Sequence, residues 1–355
     1  MAANQAIART LMNRAFSDRR FPTGDALIKY AASLVLRRGE ESAPRGMRVK
    51  ELSTPVVLTL TNVHRPFLAN ATRRANYRFG LAEAAWILSG SEDAQLIGGF
   101  NRQMLKFSDD GYTLWGAYGP RLMGQIDHVI SSLSRDKDSR QAVVTTWRPQ
   151  VHYVNASADC LAGNVGGNRY LHAAGVHTES RLADSEHKPD WDGFSWRTKD
   201  TPCTVAWHFQ VRNGRLNLTV FMRSNDVWLG LPYDLLSFTT VQRVVASVLG
   251  IDPGEYHHVV SNLHLYEQHW DKAGAMTTSV VRETVPLEPF GGAFHGLMSD
   301  GIRARFARVF DPGRVARFDD ALRPFHALIE RDEELWPPAT HLMESNGRSL
   351  HPTPK

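Results

Sequence analysis

The chain has 355 residues, 42% apolar and 22% charged; at roughly 150 residues per domain it is one large domain or two, and it is neither disordered nor collagen-like. Lysine and arginine exceed aspartate and glutamate by 41 − 37 = 4, which suits an anionic ligand but is too small a surplus to single out nucleic acid. No window approaches the ~18 apolar residues of a membrane span, and two cysteines, Cys160 and Cys203, exclude a disulfide framework and point to a reducing cytoplasm.

The first twenty residues are rich in arginine and lack the apolar core of a secretory signal; Ile7, Leu11, Met12 and Phe16 predict a short amphipathic helix there. Phe79 to Leu88 places Leu81, Ala84, Ala85 and Leu88 at helical spacing, with Glu83 at the edge of the stripe and Gly90 as the stop. Gln141 to Trp147 reads as a buried strand. From Asn155 to Asp200 the chain turns to Gly, His, Asp, Ser and Trp without a period, too long for an ordinary loop and therefore a lid or an insert. Two alternating runs, Cys203 to Val211 and Leu216 to Arg223, flank Asn213-Gly214 and predict a hairpin in which opposed residues sum to 427. Val205/Met222, Trp207/Val220, Phe209/Leu218 and Val211/Leu216 then form one apolar face, and Cys203 opposes Ser224. Leu231 opens a helix to about Leu249, with Leu235, Phe238, Val241, Val245 and Val248 facing the core and Gly250 closing it. A strand from His258 to Tyr266 puts His264 and Tyr266 on one face. Beyond about Arg282 the chain reads as helical and basic, ending in a polar tail with prolines.

Phosphate-loop, H-E-x-x-H, C-x-x-C and G-x-S-x-G patterns are absent. His257, His258, His264 and His269 have no Cys or carboxylate set to complete a metal site, so no metal is expected. Taken singly, Cys203 is a small buried hydrophobe or a nucleophile, Asp234 an N-cap or a ligand, Glu83 a stripe-edge residue or a proton carrier, and Arg223 a solvated edge charge or an anion ligand. Together they say more. The run from Arg223-Ser224-Asn225-Asp226 to Leu229-Gly230-Leu231-Pro232, with Pro202-Cys203 upstream, His264-Leu265-Tyr266 downstream, and Glu83-Ala84-Ala85-Trp86, Tyr118-Gly119 and Asp138-Ser139-Arg140 earlier, resembles the thymidylate synthase family over about residues 45 to 269.

The resemblance implies an α/β fold, a mixed sheet flanked by helices, in one catalytic domain over 1–355 with an atypical insert at about 155–200 and a C-terminal extension at about 282–355. It also implies a homodimer packed through the sheets, a pyrimidine nucleoside monophosphate as substrate and 5,10-methylenetetrahydrofolate as cofactor. Cys203 would be the thiolate that adds to C6, its pKa lowered by Arg223. Arg223 and Ser224 would hold the 5′-phosphate, with Arg45 from a loop and Arg140 from the neighbouring subunit. His264 and Tyr266 would bind the sugar and Asp226 the base, while Glu83 and Tyr118 would manage protons and water.

Departures from the family point to the base. Asp234 stands where synthases carry Asn, and a carboxylate accepts from the N4 amino group of cytosine. Thr204 replaces His after the cysteine, Met222 replaces Gln before Arg-Ser, and Gln141 follows Arg140 where a second Arg is usual, with Lys137 or Arg148 as substitutes. The expected activity is cytidylate 5-hydroxymethylation. The alternatives are a uridylate-directed methylase or hydroxymethylase, in which Asp234 is only a cap, and a nucleotide- or RNA-binding protein on an inactive scaffold, suggested by Arg65, Arg73, Arg74 and Arg78.

Overall fold

The computed structural model describes residues 19–68, 70, 72–147, 198–279 and 286–310. The expected first helix, Cys160 and Arg148, almost all of the 155–200 insert and the C-terminal tail lie outside the described residues.

Ten strands and eight helices of the described residues form a mixed α/β structure with two sheets. The larger sheet runs β1 (Arg20–Phe21), β4 (Val56–Leu60), β9 (Asp252–Val260), β7 (Arg215–Met222), β6 (Thr204–Arg212) and β5 (Val143–Thr145), in that spatial order. The β6–β7 hairpin forms because Asn213 and Gly214 both take positive φ, 51° and 72°, as a two-residue turn of the right twist demands. Trp207, Phe209, Val211, Leu216, Leu218 and Val220 are buried on one face in the predicted register.

At its open end the hairpin departs from that register. Ala206 opposes Phe221, but Thr204 opposes Met222, so Val205 is an extra residue and the expected Val205/Met222 pair does not form. Thr204 takes the buried place, its hydroxyl 3.1 Å from the Met222 sulfur. The Cys203 carbonyl accepts the Arg223 N–H at 2.9 Å, so Cys203 faces Arg223 and not Ser224. A bulge shifts every residue beyond it by one place and re-aims the side chains there.

Two further strands differ from expectation. The 141–147 segment is a strand only over Val143–Thr145, at the sheet edge, with Ala142, Val144 and Thr146 buried and the residues between them exposed. The strand expected from His258 to Tyr266 is interrupted at Ser261 and Asn262: β9 stays in the large sheet, while β10 (Leu263–Tyr266) enters a second sheet of order β2 (Glu40–Ser42), β3 (Val49–Glu51), β10 and β8 (Asn225–Asp226).

α6 (Leu231–Leu249) runs through the core, with buried residues on all sides. Its expected stripe is buried, and so are Thr239, Thr240, Gln242, Arg243 and Ser247. Most of these polar groups find partners: Thr240 donates to the Leu236 carbonyl at 2.8 Å, Gln242 to the Leu216 carbonyl at 2.7 Å, and Ser247 to the Gly291 carbonyl at 2.6 Å, while Gln242 Oε1 and Arg243 Nε and Nη1 are buried without a hydrogen-bond partner among the described residues. Gly250 ends the helix at φ 66°. α2 (Tyr77–Leu88) packs against α6. Among the described residues beyond 285 the helical expectation is met by α8 (Ser299–Ala307), whose first residue donates both N–H and Oγ to the Asp127 carboxylate at 2.6 Å. Among the described residues no helix is long and apolar enough to cross a membrane.

Candidate active site

The bulge sets the first part of the site. Arg223 leaves β7 beside Cys203, with a guanidinium nitrogen 3.7 Å from the thiol sulfur. Its Nε donates to the Pro202 carbonyl at 2.9 Å, another nitrogen to the Thr201 carbonyl at 3.1 Å, and the group lies over the Trp147 ring at 5.5 Å. Burial pushes the Cys203 thiol above its ordinary pKa, and Arg223 and Arg45 pull it down without cancelling that effect. The expected net lowering is therefore corrected: desolvation of a thiolate outweighs two exposed arginines.

Two carboxyls face each other across α2 and α6. Glu83 accepts from the Ser237 hydroxyl at 3.1 Å, and burial reinforced by Asp234 raises its pKa to about 8. Asp234 lies one turn before Ser237 on the same face of α6; burial raises it to about 7, opposed by its hydrogen bond from Asn225. Both side chains are strongly desolvated yet neither residue is sealed from solvent, as expected of groups that line a recess. The alternative of Asp234 as an N-cap fails, because the helix starts at Leu231 after Gly230 and the Asp234 side chain takes the Asn225 amide at 2.6 Å. Tyr118, at the start of α4 (Tyr118–Met123), is raised well above the ordinary phenol range by burial, with Cys203 and Asp234 adding to the shift and a hydrogen bond with Thr204 opposing it.

The second sheet supplies the third part. β8 pairs with β10 in parallel, setting Asp226 opposite His264. The Ser224 hydroxyl lies 3.3 Å from His264 Nδ1, and the His264 and Tyr266 rings meet edge to face at 5.3 Å. One Asp226 oxygen accepts the Trp228 N–H at 2.8 Å and the Leu229 N–H; the other, Oδ2, is buried with no partner among the described residues. Arg45 is exposed at φ 53° and its charge reaches both Cys203 and Tyr266. Arg140 is exposed before β5. Of the arginines expected to form one basic face, Arg73 stacks over Trp228 at 5.1 Å and Tyr233 at 5.7 Å, and Arg78 over Phe100 at 5.9 Å.

Asn225, Ser237, Tyr256, His258 and Asp200 belong to the site and were not selected from the sequence. Asn225 lies inside the motif run, and Tyr256 and His258 follow the alternation of β9, so a signal existed for those three. Asp200, in the segment read as insert, accepts the Gly116 N–H at 2.7 Å, and burial raises it to about 6; nothing local marks it. No group of three His, Cys, Asp or Glu among the described residues could hold a metal. For a reduced folate, whose pterin edge carries N–H and amino donors, the unpartnered Asp226 Oδ2 is an acceptor of the right chemistry.

A thiol beside an arginine lies next to two enclosed carboxyls on a mixed α/β scaffold, an architecture consistent with a thymidylate synthase-like fold. Residues 191–288 match the thymidylate synthase family. Among curated proteins the chain is similar to the deoxyuridylate hydroxymethyltransferase of Bacillus phage SP01, 29% identical over 267 residues, 71% of this chain and 58% of that protein. It is also similar to the deoxyuridylate hydroxymethyltransferase of Pseudomonas phage M6, 29% identical over 213 residues, 58% of this chain and 49% of that protein. The chain thus aligns with about half the length of these curated relatives.

Proposed function

We propose that this chain transfers a one-carbon unit to C5 of a cytidine 5′-monophosphate, CMP or dCMP, and hydrates it to 5-hydroxymethylcytidylate. The observation that carries the base is Asp234: a carboxyl, held by the Asn225 amide, occupies the recess beside Glu83 and within electrostatic reach of Cys203. A carboxylate accepts from the cytosine N4 amino group, and a proton shared with N3 closes a second hydrogen bond.

When bound, 5,10-methylenetetrahydrofolate supplies a carbon at the oxidation level of formaldehyde. Cys203 adds to C6 of the base, losing its proton as the C–S bond forms, with Arg223 favouring the developing thiolate; C5 thereby becomes nucleophilic. Arg223, Ser224 and Arg45 hold the 5′-phosphate, joined by Arg140 of a second subunit, and His264 and Tyr266 hold the sugar. Asp226 accepts from the base or the pterin edge. Glu83, in its ionised form, takes the proton of the water that adds to the exocyclic carbon, with Tyr118 ordering that water; expulsion of Cys203 as the thiolate restores the aromatic base.

A second reading, deoxyuridylate hydroxymethylation, is favoured by the names of the two relatives and by the raised pKa of Asp234. A neutral carboxylic acid presents one O–H donor and one carbonyl acceptor, as the amide of an Asn does, and so meets the O4 and N3–H edge of uracil.

The test is mass spectrometry of products from CMP, dCMP and dUMP, each incubated separately with the folate, for the parent protein and for Asp234→Asn. Gain of formaldehyde's mass on a cytosine nucleotide, shifting to dUMP in the variant, is the expected result. Product from dUMP alone in the parent protein replaces the cytosine assignment by the second reading, and a methyl gain overturns the hydration step.

A further inference from the structure

Behind Asp234 lies a chain of buried polar groups. Tyr256 and His258, both fully buried, project from β9 toward the core, with the Tyr256 hydroxyl 2.6 Å from His258 Nδ1. His258 Nε2 is 3.0 Å from Asn225 Oδ1, and Asn225 Nδ2 is 2.6 Å from Asp234 Oδ2. Burial holds His258 neutral, its pKa lowered to about 3, so it has one donor and one acceptor. A carboxylate oxygen only accepts, so the Asn225 amide turns its NH2 to Asp234 and its carbonyl to His258. Nε2 then carries the imidazole proton, and Nδ1 accepts from the Tyr256 hydroxyl. Every link donates toward Asp234. Gly230 makes room for the last link: a Cβ there would stand 3.0 Å from Asn225 Nδ2 and 3.3 Å from Asp234 Oδ2.

We infer that Tyr256, His258 and Asn225 are positioning residues that select the base by occupying one oxygen of Asp234 and leaving the other to face the substrate. The inference rests on the reading of Asp234 as the base-reading residue. With one lone pair of Oδ2 committed to an incoming donor, the carboxyl is held in one orientation: Oδ1 faces the nucleotide, as acceptor when ionised or as donor when protonated, and Oδ2 keeps a lone pair for the second contact. Releasing the chain frees the amide to turn and the carboxyl to rotate, so both bases are accepted more evenly. Buried chains of this kind reinforce one another, and breaking one link weakens the rest.

The experiment has two readouts. 15N NMR of the histidines in the nucleotide-free protein is expected to show His258 with the proton on Nε2 between about pH 5 and 8, and a mixture of tautomers in Tyr256→Phe. Kinetics on competing dCMP and dUMP are expected to show the ratio of kcat/KM moving toward unity by about five- to tenfold in His258→Phe, mainly through KM. In His258→Gln, which keeps an N–H donor, the ratio returns to within about twofold of the parent value. A proton on Nδ1, or an unchanged ratio in both Tyr256→Phe and His258→Phe, overturns the inference. If the parent protein prefers dUMP, the cytosine assignment fails while a shifting ratio still upholds the inference.

Discussion

At the scale of single residues, Glu83 carries the clearest consequence. In the unfolded chain it titrates near 4.5, and in the folded protein near 8, because burial and the neighbouring Asp234 both penalise its charge. A raised folded pKa means that the group's contribution to stability is complete below about 4.5 and is lost as pH rises through about 8. Glu83→Gln removes that loss. The variant should gain stability relative to the parent between pH 5 and pH 8.5, on the order of 1–3 kcal/mol once the partial exposure of the group is allowed for. Its kcat should fall by about 10²–10⁴ through loss of proton transfer. Thermal melts at the two pH values check the first part, and a pH-independent difference between the proteins contradicts the account. Glu83 was legible in the sequence as a carboxyl at the edge of an apolar stripe; Asp234, the fourth residue of another helix, was not legible as its neighbour.

At the scale of elements, a buried ion pair on one helix also ties that helix to a segment 250 residues further along the chain. Asp25 and Lys29 lie one turn apart on α1 (Gly24–Arg38), with Asp25 fully buried and the pair at 3.3 Å, and Lys29 donates to the Ser279 carbonyl at 2.8 Å, just past α7 (Trp270–Thr278). Removing one partner of a buried pair leaves the other uncompensated. Lys29→Met should therefore destabilise the protein by roughly 3–5 kcal/mol, and adding Asp25→Asn should recover part of that loss. Denaturant titration of both proteins gives the comparison; a double variant no more stable than the single would refute the pairing. The hairpin shows how much an element reveals by itself. Alternation and Asn213-Gly214 specify its register from the turn to Ala206, whereas the bulge at Val205 depends on neighbours: Thr146 and Trp147 both donate to the Val205 carbonyl, at 2.9 and 3.2 Å.

At the scale of the whole molecule, the face of the large sheet turned away from α6 leaves Val57, Val143 and Phe221 substantially exposed. Apolar strand residues on an open face suit a second copy of the chain, and Arg140 stands exposed beside the same sheet's edge. If Arg140 completes the neighbour's site, two dead proteins repair each other: Cys203→Ala and Arg140→Ala, unfolded and refolded together, should regain about a quarter of parental activity, because half the dimers are mixed and each mixed dimer has one intact site. No recovery, with mixed dimers present by mass, would place Arg140 outside the partner's site.

What the sequence determined by itself is local or periodic: the helix over Leu231–Leu249, the hairpin turn, and the residue types of the thiol, arginine and carboxyl cluster. Such features need only neighbours a few positions away, so spacing reveals them. Tertiary structure alone decided that Cys203 faces Arg223, that the strand after His258 divides between two sheets, and that Tyr256, His258 and Asn225 converge on Asp234. Those outcomes turn on a one-residue bulge and on contacts between distant segments, and the pKa values that follow depend on burial, which belongs to the assembled fold and to no stretch of chain.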